Sequence, residues 1–309
     1  MAQAKRTITP LRILLLLAVL VGVYYLLPQL GSFRNTFTVL RQASWLWLLA
    51  GLLASSLTFF AAAVTQFAAG NLCGRFSDIT LLQFAGAFVN HFLPFSLGGV
   101  NLTARYYQKL GKRQAQSITM ATIPIVFGVI TTVIIVAIVS PITLARLFGR
   151  FHLSHFSASW VPSIIAVLVI AGSVILRYRQ RAKEFIKETL AGLKGLEGRL
   201  QLVLLVTGSV GITLMSALAL LASILAVHAS VGPVAVFVIY VTASLVSNIT
   251  PTPGGIGATE AVLVLTLVAA RLSLPQAAAI TLIYRFLTFW LPIIPGGLAL
   301  RRLNRQKTL

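Results

Sequence analysis

Apolar residues in this 309-residue chain gather into nine runs separated by short polar stretches: residues 11–27, 45–69, 79–97, 117–139, 160–176, 202–227, 234–249, 258–270 and 277–300. A helix needs about 20 apolar residues to cross the hydrocarbon of a bilayer, and most of these runs come close to or exceed that length. The pattern predicts an all-α polytopic membrane protein with about 7–9 hydrophobic helical segments, forming a single integral domain over residues 1–309. Two runs depart from it. Residues 258–270 are short, and residues 79–97 are interrupted by Asn90, His91 and Pro94. The first run follows Lys5, Arg6 and Arg12 as a signal peptide would, but Pro28-Gln29-Leu30-Gly31 comes next and no small-residue cleavage site is present. A retained helix is expected there.

Charge then fixes the expected orientation. The chain is 58% hydrophobic and 10% charged, with 25 Lys and Arg against 5 Asp and Glu, a formal net charge of +20. On a soluble surface this balance would indicate nucleic acid. Here the positives stand in short bursts between apolar runs, which excludes that partner and points to anionic lipid. Hydrophobicity excludes disorder, and the single Cys73, expected to be an inert core thiol, excludes a disulfide scaffold. The basic clusters are the N-terminus, Arg105 to Arg113, residues 177–199 and Arg301 to Lys307. All four, and so both termini, are expected on the cytoplasmic side. That count works only if residues 79–97 dip in and return, and if 234–249 and 258–270 together begin and end outside. Residues 177–200 also read as an amphipathic helix, with Ile186, Leu190, Leu193, Leu196 and Leu200 on one face, lying on the anionic leaflet.

An internal repeat links the two irregular runs. Residues 97–104 read Leu-Gly-Gly-Val-Asn-Leu-Thr-Ala, and residues 253–260 read Pro-Gly-Gly-Ile-Gly-Ala-Thr-Glu. Upstream, Val89-Asn90 with Pro94 parallels Ser247-Asn248 with Pro251 and Pro253. Downstream, Gln-Ala-Gln-Ser-Ile-Thr (114–119) parallels Gln-Ala-Ala-Ala-Ile-Thr (276–281). Each copy, roughly 79–141 and 233–300, is an interrupted segment, a Gly-Gly break and a full span. By loop charge the first runs from inside to outside and the second from outside to inside, so the expectation is two broken or re-entrant hairpins in an inverted-topology repeat. In transporters, such repeats bring broken helices together near the midplane and bind substrate between them. Broken backbone at that depth is tolerated only where it is buried or lines a polar cavity. The two motifs therefore point to one central cavity.

Chemistry-bearing residues are few. Pro251-Thr252-Pro253-Gly254-Gly255-Ile256-Gly257 cannot be helical, since its prolines fix φ and its glycines permit φ > 0. Its amides, with the helix start near Ala258, would suit a phosphate or carboxylate; alternatively the glycines serve only as a close-packing hinge. Gly98 and Gly99 are the weaker twin. Glu260 is the sole acid within an apolar run, where an unpaired carboxylate is costly. Its partner is expected to be Arg285, beside Tyr284, or Arg105. In one reading the pair orders the cavity wall; in the other the arginines hold a lipid phosphate while Glu260 closes the site or carries a proton. Asn90, His91 and Asn248 flank the breaks and are expected to bond freed backbone groups. Asp78 is expected as an N-cap, Tyr106, Tyr107, Trp45, Trp47 and Trp160 as interfacial anchors, and His152 and His155 as solvated. The pattern holds no nucleophile–base set, nucleotide loop or metal cluster, and no two acids close together outside the loop that carries Glu184, Glu188 and Glu197, so neither catalysis nor a metal or other cofactor is expected.

Asn-His-Phe-Leu-Pro-Phe-Ser-Leu-Gly-Gly (90–99) with Arg105, and Pro-Thr-Pro-Gly-Gly-Ile-Gly-Ala-Thr-Glu (251–260) with Tyr-Arg-Phe-Leu-Thr-Phe-Trp-Leu-Pro (284–292), carry a family likeness. The chain resembles the transmembrane, flippase-like region of the lysylphosphatidylglycerol synthase family, in particular its stand-alone members. One departure is Val100-Asn101, where relatives often place an acid after the Gly-Gly pair. The resemblance implies movement of an anionic or polar lipid between leaflets of the bacterial inner membrane. The lipid could be a phospholipid, an aminoacyl-lipid or a polyprenyl-phosphate-linked glycolipid. Full-length synthases continue into a soluble acyltransferase-like domain, whereas this sequence stops at Leu309, so lysyl transfer is not expected. An intramembrane glycosyl- or aminoacyl-transferase, and a non-transporting partner of a separate lipid-modifying synthase, are the alternative classes.

Overall fold

The computed structural model describes residues 33–93, 97–148, 198–250, 252–306 and 308–309. The runs at 11–27 and 160–176, the amphipathic segment up to residue 197, His152, His155, Pro94 and Pro251 lie outside the described residues. The described chain is helical, without strands: α1 Phe33–Arg41, α2 Trp45–Ala69, α3 Phe76–Asn90, α4 Leu97–Lys109, α5 Gln114–Phe148, α6 Arg199–Ala226, α7 Pro233–Ile249, α8 Ala258–Ala269, α9 Leu274–Arg285 and α10 Ile293–Arg305. Among the described residues, four stretches are long and apolar enough to cross a membrane: α2, the Gln114–Thr132 part of α5, α6, and the composite Leu274–Arg305. The last is the most deeply buried of the four. Its single apolar run is not one regular helix. A π turn, Phe286–Trp290, joins α9 to α10, with the Leu291 amide donating to the Phe286 carbonyl at 2.8 Å. Pro292, which has no N–H to continue the ladder, follows at once.

Helices α2 and α6 form the central antiparallel pair. The Ser44 amide donates to the Ala226 carbonyl at 2.8 Å at one end, Gly51 faces Ala219 and Ala222, and Gly208 faces Ala61 and Thr65. Small residues let the two backbones approach, as membrane helices do where lipid offers no hydrophobic drive for association.

Both interrupted runs fold back as hairpins. In the first, Gly86 of α3 abuts Gly99 of α4, Gly98 abuts Val89, and the Arg75 amide donates to the Tyr106 hydroxyl at 3.2 Å, so the helices are antiparallel from tip to base. With 15 and 13 residues, they reach about 22 and 20 Å at about 1.5 Å per residue, short of a hydrocarbon core of about 30 Å. In the second, α7 packs on α8 and Gly255 abuts Ser247.

The packing follows one plan twice. Helix α2 packs on α3, α3 on α4, α4 on α5 and α2 on α5; in the same way α6 packs on α7, α7 on α8, α8 on α9 and α6 on α9. Across the two sets, α3 rests on α10 and α5 on α7, so the first helix of each hairpin lies on the closing span of the other set. The α3–α10 contact is close because a side chain on Gly296 would lie 2.5 Å from the Phe84 carbonyl.

Two expectations are corrected. Tyr106 and Tyr107 are not interfacial anchors but core residues, the Tyr107 hydroxyl donating to the Gln66 carbonyl at 2.9 Å. Asp78 does not cap α3: Arg75 holds that position, and Asp78 is buried in the first turn, where a carboxylate still favours the helix dipole. Trp45 and Trp47 are exposed, as anchors would be.

Candidate functional site

The Pro-Gly-rich segment ends α7 and turns into α8 through three glycines at positive φ, Gly254 (60°), Gly255 (66°) and Gly257 (89°). Pro253 starts the short 3-10 turn that carries the Gly-Gly pair. The freed backbone is satisfied from within. Thr252 Oγ1 donates to the Ile256 carbonyl at 3.0 Å, Thr259 Oγ1 to the Gly255 carbonyl at 2.9 Å, and the Gly255 amide to the Thr252 carbonyl at 3.1 Å. A break with its polar groups paired in this way can persist in a dry interior.

Glu260, in the first turn of α8, closes the remainder. Its Oε2 accepts from the Gly257 amide at 2.7 Å and its Oε1 from Arg285 Nε at 2.5 Å. Arg285 ends α9 and is 7% exposed, whereas the Glu260 side chain is 26% exposed, so the cation is the buried half of the pair. A second guanidinium nitrogen, Nη2, donates to the Gly254 carbonyl at 3.2 Å. The third, Nη1, makes no hydrogen bond among the described residues. Of the two partners open to Glu260, the structure selects Arg285. Arg105 is exposed on α4 and has no partner among the described residues.

The amides that the sequence offered to a phosphate are thus met, at Gly257, by a carboxylate of the chain itself. The segment that follows Arg285 packs beside the middle of α2. Ser55 Oγ donates to the Leu287 carbonyl at 2.9 Å. Ser55 stands ten residues into the 25-residue α2, about 15 Å from its start at about 1.5 Å per residue.

Phe289, which the sequence reading passed over, joins the two breaks. The Arg285 guanidinium carbon lies 4.1 Å from its ring centroid, the (i, i+4) neighbour relation of a helix face. A side chain on Gly254 would lie 2.0 Å from its Cε2, so this glycine is required both by φ and by the ring. From the first break, the His91 ring sits 3.9 Å from the same ring, and His91 Nε2 bonds the Phe289 carbonyl at 2.8 Å. The available signal was the Arg-x-x-x-Phe spacing ahead of Pro292.

The remaining candidates divide. Asn90 Oδ1 accepts from the Gly99 amide at 2.9 Å and so caps α4, with Gly98 buried beside it. The Asn248 side chain is exposed and bonds nothing among the described residues, so the two asparagines are not equivalent. Tyr284 is buried in the apolar core beside Tyr240.

These features define an α-helical polytopic membrane protein with two broken hairpins meeting at an ion pair whose arginine is buried. The chain matches the lysylphosphatidylglycerol synthase TM region over residues 12–296 and belongs to that family, which places it among membrane proteins related to lipid handling. Comparison with curated proteins gives no match.

Proposed function

We propose that this chain moves a lipid with an anionic or polar headgroup between leaflets, as a flippase or scramblase. Two inverted units, α2–α5 and α6–α10, would rock around the site where their breaks meet. The antiparallel run of α2 and α6 and the reciprocal packing of each hairpin on the other unit's closing span support the inverted relation. The observation that carries the reading is the Glu260–Arg285 pair, held on irregular backbone, with donors left over on Arg285. Ionisable residues within membrane segments mark substrate paths in membrane proteins. A phosphate would take the guanidinium in exchange for the Glu260 carboxylate, and exposed Arg105 would gather headgroups at the end of the path. In this reading both termini, with their basic clusters, face the cytoplasmic side of a bacterial inner membrane, where a separate lipid-modifying synthase would supply the substrate.

The test is dithionite quenching of fluorescent phosphatidylglycerol in proteoliposomes. The native chain makes the inner-leaflet probe accessible, Arg285→Ala abolishes this, and Arg105→Ala slows it. Unchanged rates in both variants would overturn the mechanism, and an altered lipid by mass spectrometry would favour a transferase.

A further inference from the structure

His91 stands in the turn that follows α3, at the tip of the first hairpin. Its backbone amide bonds the Phe88 carbonyl at 3.2 Å, in a 3-10 step that leaves the Ala87 carbonyl without its usual helical donor. The imidazole fills that vacancy: Nδ1 lies 2.6 Å from the Ala87 carbonyl oxygen, and Nε2 lies 2.8 Å from the Phe289 carbonyl oxygen. Both partners are acceptors only. A neutral imidazole has one N–H and one lone pair, so in either tautomer one of the two contacts would press a nitrogen lone pair against a carbonyl oxygen. Only the imidazolium donates to both.

We infer that His91 is a proton-binding site, present as the imidazolium when the two hairpin breaks are joined, and that it supplies the net positive charge which an anionic headgroup meets. The charges around it support this. Glu260 of α8 and Arg285 of α9 cancel each other. Helix α3 bears only Asp78, at its far end, and α10 bears no charge before Arg301. Arg105 of α4 is exposed, and Tyr284 is buried in the apolar core. With His91 neutral the cluster sums to zero; with His91 protonated it sums to +1, spread over Arg285 and His91 on the shared Phe289 ring. Proton and headgroup then bind together, each raising the other's affinity by the same factor. Loss of the proton removes one of the two bonds, either that to Ala87 within the first hairpin or that to Phe289 of the π turn.

The headgroup half of this inference rests on the lipid-transport reading; the proton half does not. The experiment is ¹⁵N NMR of histidine-labelled full chain in micelles between pH 5 and 8, the range in which imidazole ordinarily changes charge, with and without dihexanoyl phosphatidylglycerol. The chain has four histidines, so His91→Gln assigns the signal. If that variant fails to fold, replacing His152, His155 and His228 leaves His91 as the only one. Expected is a His91 ring with both nitrogens protonated at pH 6, whose titration moves to higher pH when the lipid is added. In proteoliposomes the flip rate should fall up to tenfold per pH unit above that titration, and lose this dependence in His91→Gln. A neutral His91 at pH 6, or a titration that the lipid does not move, overturns the inference. A lipid-displaced titration in protein that moves no lipid would refute transport and leave the proton site standing.

Discussion

Gly254→Ala should be the most informative single change, because two separable costs fall on one added carbon. Gly254 has φ 60° and ψ 18°, the left-handed region, which costs an L residue about 1–2 kcal/mol. The new Cβ would also lie 2.0 Å from Phe289 Cε2 and 2.5 Å from Cζ, whereas carbons in contact sit at about 3.5–4.0 Å. The ring cannot swing away freely, since it is buried and carries His91 and Arg285. Overpacking of this kind costs about 1–3 kcal/mol, giving about 2–5 kcal/mol in total. A double-mutant cycle separates the parts. Equilibrium unfolding in mixed micelles would be measured for Gly254→Ala, Phe289→Ala and the double variant. Phe289→Ala alone is costly, about 3–5 kcal/mol, but it removes the obstacle. The double variant should therefore be more stable than the sum of the singles by about 1–3 kcal/mol, with only the backbone strain remaining. Additivity within about 0.5 kcal/mol would refute the placement of Phe289 as the residue on which both breaks bear.

Four further outcomes follow from the packing. Gly208→Ala would bring a carbon within 2.3 Å of Thr65 Oγ1 and 3.0 Å of the Ala61 carbonyl and the Thr65 amide, so it should lower unfolding stability by about 1–3 kcal/mol. Gly128→Ala on α5 meets nothing within 4 Å and should be neutral or stabilising by up to about 1 kcal/mol in the same assay. Asn90→Ala removes the cap on the Gly99 amide and should cost about 0.5–2 kcal/mol. Asn248→Ala, at its exposed counterpart, should stay within about 0.5 kcal/mol of the native chain.

The breaks were readable in the sequence because prolines and glycines act locally: whatever surrounds it, Pro-Thr-Pro-Gly-Gly-Ile-Gly cannot continue a helix. The hairpins were readable because charge counting left no other topology for two short runs. The partner of Glu260 was not, since it depends on how α4 is rotated about its axis. Once Gly99 is known to face Gly86, the helical period settles the matter. At 3.6 residues per turn, Arg105 stands about 240° round from Gly99, while Tyr106, seven residues on, returns to within about 20° of it. This is why Tyr106 enters the core and Arg105 does not. Composition favoured the opposite assignment, because Tyr next to a basic cluster is the usual mark of an interface. Phe289 was hidden for a different reason. Its position relative to His91 depends on the π turn, which shifts every later residue round the helix, and no local pattern before Pro292 announces one.

The arrangement of Glu260 bears directly on how a lipid could pass. A site of free amides and bare arginine would hold a phosphate tightly and release it slowly. Here the resting site already contains an anion, tied to Gly257 and Arg285. Removing Glu260 would strand the buried Arg285 charge, at about 3–5 kcal/mol. Exchanging the carboxylate for a phosphate instead keeps Arg285 in a charge-assisted bond, so the free energies of the two states stay close. Passage requires that balance, with binding strong enough to admit the headgroup and weak enough to let it go. In the proposed cycle Glu260 is the competitor that lets Arg285 release its lipid, and His91 decides whether the net charge favours the lipid or the carboxylate.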